Sequence, residues 1–211
     1  PVRGNEAGRR HTAWPGRADP QHGLLDQMEG RVRRREHWER IYRTRPSDEL
    51  GWFQPRTLRS LRLIEDALPD RGAAIIDVGA GDSVLVDDLL DAGYANLTVL
   101  DLSAEALARC RGRLGPRGTG VGWIAADIVE AVLPEAAYDL WHDRAVFHFL
   151  TDAADRARYI ERVLRSVKRG GHVIVAAFGP GGPPQCRPDR RLPPPARLLS
   201  PSAPVRSDLG P

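Results

Sequence analysis

Two aspartates bracket a glycine-rich stretch of this 211-residue chain: Asp77 opens Asp77-Val78-Gly79-Ala80-Gly81-Asp82-Ser83, and Asp101 follows about twenty residues after the glycines. A carboxylate accepts two hydrogen bonds at once, which is what the two hydroxyls of a ribose offer. Glycines let the main chain turn sharply with no side chain in the way, so a ligand can approach the backbone closely. The chemistry implied is capture of a nucleoside. The elements that must position it are legible on either side. Residues 73–78 form a short apolar run ending at glycines, the mark of a buried parallel strand. Val84 to Leu90 carries apolar residues at helical spacing, and Leu97-Thr98-Val99-Leu100-Asp101 reads as a second strand ending at the acid. Strand, glycine turn, helix, strand and acid together make a nucleoside-binding βαβ unit.

A missing glycine narrows the nucleoside. Dinucleotide sites use Gly-x-Gly-x-x-Gly, and here Val84 stands where the third glycine belongs, preceded by Ser83. That substitution counts against a nicotinamide oxidoreductase, and Asp77 beside the glycines suits a cation better than a phosphate. S-adenosylmethionine carries a ribose, an adenine and an ammonium group and has no phosphate. The pattern resembles the class I S-adenosylmethionine-dependent methyltransferases, which implies Gly79, Ala80, Gly81, Ser83, Asp101 and Leu102 as cofactor contacts beside Asp77.

Three further clusters fall at strand ends, where open α/β sheets place their ligand crevice. Asp127 and Ile128 follow a third strand, where the acid can accept from an adenine amino group while Ile128 packs on the ring; an ordinary polar strand end reads the same way. A fourth strand ends in Trp141-His142-Asp143-Arg144. His142 and Asp143 are candidates to orient or deprotonate a nucleophile, with Asp143 as a cap of the next helix the alternative. Trp38, Tyr42 and Trp52 precede the first strand and could fold over a sulfonium cation, or simply pack in a core.

The whole chain supports an α/β, Rossmann-like, doubly wound, mostly parallel sheet. Strands are expected over 73–78, 97–101, 121–126, 138–142 and 172–178. Helices are expected over 35–43, from Pro55 onward, and over 83–92, 103–113 and 152–167. Ser103 and Thr151 read as N-caps, and Gly170-Gly171 reads as the end of the last helix. Hydrophobic content of 41% and charged content of 28% are those of an ordinary globular domain. Residues 1–45 carry eleven Arg against six acids, residues 46–186 carry fifteen basic residues against twenty acids, and residues 187–211 carry five Arg against two acids. The basic charge therefore sits at the ends, which speaks against a nucleic-acid-binding face. No apolar run approaches the roughly 20 residues of a membrane span. Cys110 and Cys186 lack a pairing pattern and suit a reducing cytoplasm, and the six histidines show no metal-ligand spacing.

Residues 1–27 read as a disordered extension, with Met28 as the natural start; 28–186 form the domain; 187–211, rich in Pro and Arg, form a disordered tail. The sheet is expected to lack the last two strands of its type. The tail is either a natural appendage or the product of a frame change or truncation near Cys186, and the sequence favours the latter.

His37-Trp38-Glu39-Arg40-Ile41-Tyr42, Trp52, Gly79-x-Gly81-x-Ser83, Asp101-Leu102-Ser103 and Asp143-Arg144-Ala145 together resemble one methyltransferase-like subgroup. It includes the lysine methyltransferases of elongation factor 1A and citrate synthase. There the turn reads Gly-Cys-Gly-Asn-Ser, and the fourth strand ends in Asp-Lys-Gly followed later by Leu-Asp-Ala. This chain has Arg144 for that Lys, Ala145 for that Gly and His148 for the later Asp. The resemblance implies Trp38, Tyr42, Trp52, Gly79, Asp101, Asp127 and Asp143 as cofactor contacts, and a small-molecule or protein (lysine) acceptor. A catalytically impaired S-adenosylmethionine-binding remnant is the alternative. No nucleic-acid or membrane partner is expected.

Overall fold

The computed structural model describes residues 20–177, with side chains from residue 29 onward. Five strands form one sheet in the order β3-β2-β1-β4-β5, every neighbouring pair parallel. In chain order the elements are α1 (Pro20–Thr44), α2 (Leu58–Ala67), β1 (Ile75–Val78), α3 (Leu85–Asp91), β2 (Leu97–Asp101), α4 (Ala104–Leu114), β3 (Gly122–Ala125), β4 (Tyr138–Arg144), α5 (Ala153–Ser166) and β5 (Val167–Ala176).

Because successive side chains in a strand point to opposite faces, the sheet has two cores. On one face Ile75, Leu97, Val99, Leu140 and Ile174 meet Ile64 of α2, Leu85, Val86 and Leu89 of α3, and Leu107 and Leu114 of α4. On the other, Ile76, Val78, Leu100 and Trp141 meet Leu150 and Tyr159. Near-continuous burial of β1 and β4 leaves polar side chains few places to sit. The fully buried charged or ionisable ones, Asp77, Asp101, His142 and Asp143, gather toward the carboxyl ends of the strands.

Several boundaries differ from the sequence reading. The first helix is longer than 35–43, and residues 20–27, expected as unstructured extension, begin it. The second helix starts at Leu58 rather than Pro55, because the main-chain N–H and hydroxyl of Thr57 both donate to buried Asp88 at 2.7 Å. Asp152, not Thr151, caps α5: its Oδ1 accepts from Ala154 and Asp155 N–H at 2.8 and 3.1 Å, and its charge suits the helix N-terminus. Gly170-Gly171 lies inside β5 and does not end a helix. There Val167 pairs with Tyr138 and His172 with Leu140, and the irregularity between them is taken up by Gly170 at φ +79°. The expectation that the last two strands of the sheet are missing falls on residues outside those described, as do Phe178, Cys186, the tail and residues 1–19.

Candidate functional site

After β1 the main chain turns through Gly79 and Gly81, both left-handed at φ +66° and +58°. A Cβ on Gly79 would lie 1.7 Å from Val146 Cγ2, and one on Gly81 would lie 2.2 Å from Tyr42 Oη. Conformation and space both demand glycine here. The turn is held from several sides. Gly79 N–H donates to Leu100 O at 2.7 Å. From α4, Arg113 donates to the carbonyls of Asp82 and Ser83 at 3.0 and 2.7 Å while pairing with Asp87 at 2.7 Å. The Cys110 thiol sits 3.5 Å from Gly81 O, and burial pushes its pKa up to about 12.

Asp101, at the end of β2, receives Gly81 N–H on Oδ2 at 2.7 Å and Ser103 N–H on Oδ1 at 2.8 Å. Burial nevertheless pushes its pKa up to about 6, with further upward pressure from Asp77 and Asp82. Three carboxylates around one turn create a negative field that repels phosphate and attracts a cation. Arg109 of α4 lies 3.6 Å from Asp82, which also accepts from the Ser47 hydroxyl. Beyond β3, Asp127 is buried. Its Oδ1 accepts from Val129 N–H at 3.2 Å, while Oδ2 has no hydrogen-bond partner among the described residues. An orphaned buried carboxylate oxygen is costly unless a donor arrives. Ile128 beside it is buried in the second core with Leu100 and Val129.

The end of β4 is different. His142 and Asp77 are register partners on adjacent strands, and the imidazole Nδ1 lies 2.7 Å from Asp77 Oδ1. His142 Nε2 lies 3.0 Å from the Ser60 hydroxyl of α2. A carboxylate only accepts, so Nδ1 donates to Asp77 and Nε2 accepts from Ser60. Both ring nitrogens are thereby used, in a side chain 1% exposed. Asp143 points to the opposite face, fully buried. It accepts from Val146 N–H at 2.8 Å, Phe147 N–H at 3.1 Å and the Tyr159 hydroxyl at 2.5 Å, and burial pushes its pKa up to about 6. Its three donors clamp the turn after β4, where Ala145 is held at φ +81°. Of the two roles open for Asp143 in the sequence, capping is the one its hydrogen bonds perform.

Trp38 stacks on Tyr42 (ring centroids 6.3 Å apart) and meets Trp52 and Phe149 edge-on at 5.6 and 5.3 Å. Tyr42 is buried over Gly81, and its pKa is raised by burial and by Asp101. The aromatic layer thus both packs and lies on the turn. Glu39, unassigned in the sequence, joins this layer to α4: it accepts from Ala104 N–H at 2.7 Å, Ser103 Oγ at 3.1 Å and Glu105 N–H at 3.3 Å. A helix cap contributed from 65 residues away leaves no local pattern to read.

The structure therefore brings Tyr42, Asp77, Gly79, Gly81 and Asp101 together around one turn, with Ala80 and Ser83 within it. Leu102 follows Asp101 directly, Asp127 lies two residues past the end of neighbouring β3, and His142 and Asp143 lie on opposite faces of β4.

Residues 76–175 match a family described as a methyltransferase domain. Over 136 residues the chain is 22% identical to the eEF1A lysine and N-terminal methyltransferase of Mus musculus, covering 64% of this chain and 19% of that protein. It is 28% identical over 116 residues to an uncharacterized methyltransferase of Mycobacterium bovis, covering 55% of this chain and 56% of the relative. The chain thus spans about a fifth and about half of these relatives' lengths. A solved phosphoethanolamine N-methyltransferase 1 of Haemonchus contortus, in complex with phosphoethanolamine and S-adenosylhomocysteine, superposes with a TM-score of 0.54 at 16% identity, covering 68% of this chain and 31% of that one. That likeness is one of fold.

Proposed function

We propose that this chain, in which residues 76–175 are a methyltransferase domain on the class I Rossmann-like fold, transfers the methyl group of S-adenosylmethionine to a protein lysine or small-molecule acceptor. The observation that carries the cofactor assignment is the bare Oδ2 of buried Asp127, a strand end away from Asp101. The adenine amino group supplies the donor this oxygen lacks. Asp101 receives the ribose hydroxyls on lone pairs not taken by Gly81 and Ser103, and the Gly79–Gly81 main chain admits the sugar closely. The negative field of Asp77, Asp82 and Asp101 suits a ligand with a sulfonium and an ammonium group, and Trp38, Tyr42 and Trp52 offer ring faces near it. When bound, the cofactor supplies a methyl carbon already activated by its positive sulfur. The chain's own work is to hold an acceptor in line with it, where proximity supplies much of the rate.

His142 and Asp143 are assigned positioning roles in this scheme. His142 orients Asp77 from beneath, and Asp143 shapes the turn at the acceptor side. His142 spends its one ring lone pair on Ser60 and Asp143 already accepts three hydrogen bonds within the protein, so in this scheme an amine acceptor sheds its proton before binding or to water.

Calorimetric titration with S-adenosylhomocysteine and with NAD tests the cofactor assignment. Binding of the first alone, weakened at least a hundredfold in Asp101→Ala, is the expected result; NAD binding, or unchanged affinity in the variant, overturns it. Methylation of a lysate with labelled cofactor, fractionated into protein and small-molecule products, then selects the acceptor class.

A further inference from the structure

Two stretches of chain meet on the acceptor side of the crevice: residues 144–151, which leave β4, and residues 50–55, which join α1 to α2. Arg144, the last residue of β4, ties them together by donating from Nη1 to Trp52 O at 3.2 Å. Every residue from Arg144 to Phe149 is half-buried, as are Trp52 and Phe53, so this rim is recessed and mostly apolar. Trp52 meets Trp38 edge-on at 5.6 Å, and Phe149 meets the same ring at 5.3 Å, which makes the aromatic layer continuous with the rim. Neither stretch contains an acid. Asp143, just before the first, is turned inward onto Val146, Phe147 and Tyr159, and Asp152, just after it, caps α5. His148 adds no charge at neutral pH, because burial pulls its pKa down. The fixed charge of the rim is therefore that of Arg144. Its fork has five donors, and Trp52 O takes one. Among the described residues it forms no ion pair, whereas Arg109 and Arg113, which flank the glycine turn from α4, are both paired with carboxylates. Asp77 lies within its electrostatic reach but is buried and bound to His142. A partly desolvated guanidinium among apolar groups gains most from a planar anion, while an ammonium in the same place meets a like charge and no carboxylate.

We propose that the methyl acceptor is a small molecule with a carboxylate on an apolar body, and that Arg144 holds the carboxylate while Trp52, Phe53 and Phe149 cover the body. The assignment rests on the methyl-transfer reading above and deepens it, choosing the small-molecule acceptor over a protein lysine. The carboxylate is a handle, distinct from the atom that is methylated. Trp52 O fixes the guanidinium from behind, so two parallel N–H groups remain to grip both oxygens of the handle. Specificity then comes from attraction and rejection at one position: the fork selects the anion, and its charge turns away a lysine side chain.

The test begins with binding. The full chain, saturated with S-adenosylhomocysteine, is titrated with three probes that share one ring: benzoate, benzyl alcohol and benzylamine. Wild-type protein is expected to prefer benzoate over the other two by about tenfold or more, the worth of a charge-assisted hydrogen bond. Arg144→Met is expected to erase that preference while leaving S-adenosylhomocysteine affinity within about twofold, and Arg144→Lys to restore part of it. In a lysate supplied with labelled cofactor, the label is expected in small molecules retained by an anion exchanger, and to fall about tenfold or more with Arg144→Met. Absence of a wild-type benzoate preference, or label carried by protein, overturns the assignment. So does a loss of S-adenosylhomocysteine affinity in Arg144→Met, since the guanidinium would then serve the cofactor. A wild-type chain that binds S-adenosylhomocysteine but treats the three probes alike refutes the acceptor assignment alone. One that does not bind S-adenosylhomocysteine refutes the cofactor reading and this assignment with it.

Discussion

The regions beyond β2 and β3 and the end of β4 contain the same chemical group, a buried aspartate, engaged by the protein to different degrees. Asp127 keeps one oxygen bare, and Asp101 spends one hydrogen bond on each oxygen. Asp143 accepts three hydrogen bonds, from Val146, Phe147 and Tyr159. What decides whether a carboxylate binds a ligand or builds the protein is which donors have already reached it, not its residue type or its place at a strand end.

The sharpest way to break this contrast is to remove each carboxyl function and read stability and affinity separately. Asp143→Ala leaves three buried donors without an acceptor and is expected to cost about 3 kcal/mol in urea unfolding. Asp127→Asn keeps the acceptor for Val129 and replaces the bare oxygen with an amide donor. It is expected to weaken S-adenosylhomocysteine binding about tenfold, roughly 1.4 kcal/mol, with an unchanged urea midpoint. If Asp127→Asn unfolds the chain, or Asp143→Ala affects only affinity, the two regions have been read the wrong way round.

The pH dependence separates stability from affinity by sign. Burial holds Asp101 and Asp143 near 6, above the ordinary carboxylate range. Between that range and about pH 6 the folded chain keeps protons the unfolded chain has released, so their contribution to stability falls as pH rises and levels off above the window. Affinity for S-adenosylhomocysteine moves the other way, rising through about pH 6 as Asp101 ionises and becomes a pure acceptor for the ribose. Calorimetry at about pH 5 and about pH 7 should show this slope in the wild type and lose it in Asp101→Asn. The smallest effect is expected at Ala145, whose side chain strains a left-handed backbone. Ala145→Gly should raise the urea midpoint by an amount worth about 1 kcal/mol, and a lowered midpoint would show that Asp143 is not holding strain there.

The β2 side was legible in the sequence because its logic is local: a strand, two glycines and an acid at a fixed spacing specify the turn and the carboxylate facing it. The βαβ order and the alternating strands likewise gave the sheet. The β4 side was not, because its logic is tertiary. Ser60 reaches His142 across 82 residues and Glu39 reaches α4 across 65, so no window of sequence contains both partners. His142 and Asp143 looked like acid–base groups for the same reason: their neighbours in sequence do not reveal that Asp77 and Ser60 engage both ring nitrogens and that Tyr159 donates to the carboxylate. Helix starts shifted where one of several adjacent polar residues, Asp152 over Thr151, had the better-placed oxygens.

Cys110 adds a consequence for how the crevice can be watched at work. Its sulfur is sealed beneath the bend, against the carbonyls of Gly81 and Ser83, and burial keeps it a thiol rather than a thiolate. An alkylating reagent can reach it only when α4 and the bend part company, so the rate at which this one atom is modified is a clock for that excursion. A nucleoside that braces the bend from above would slow the clock without touching the sulfur.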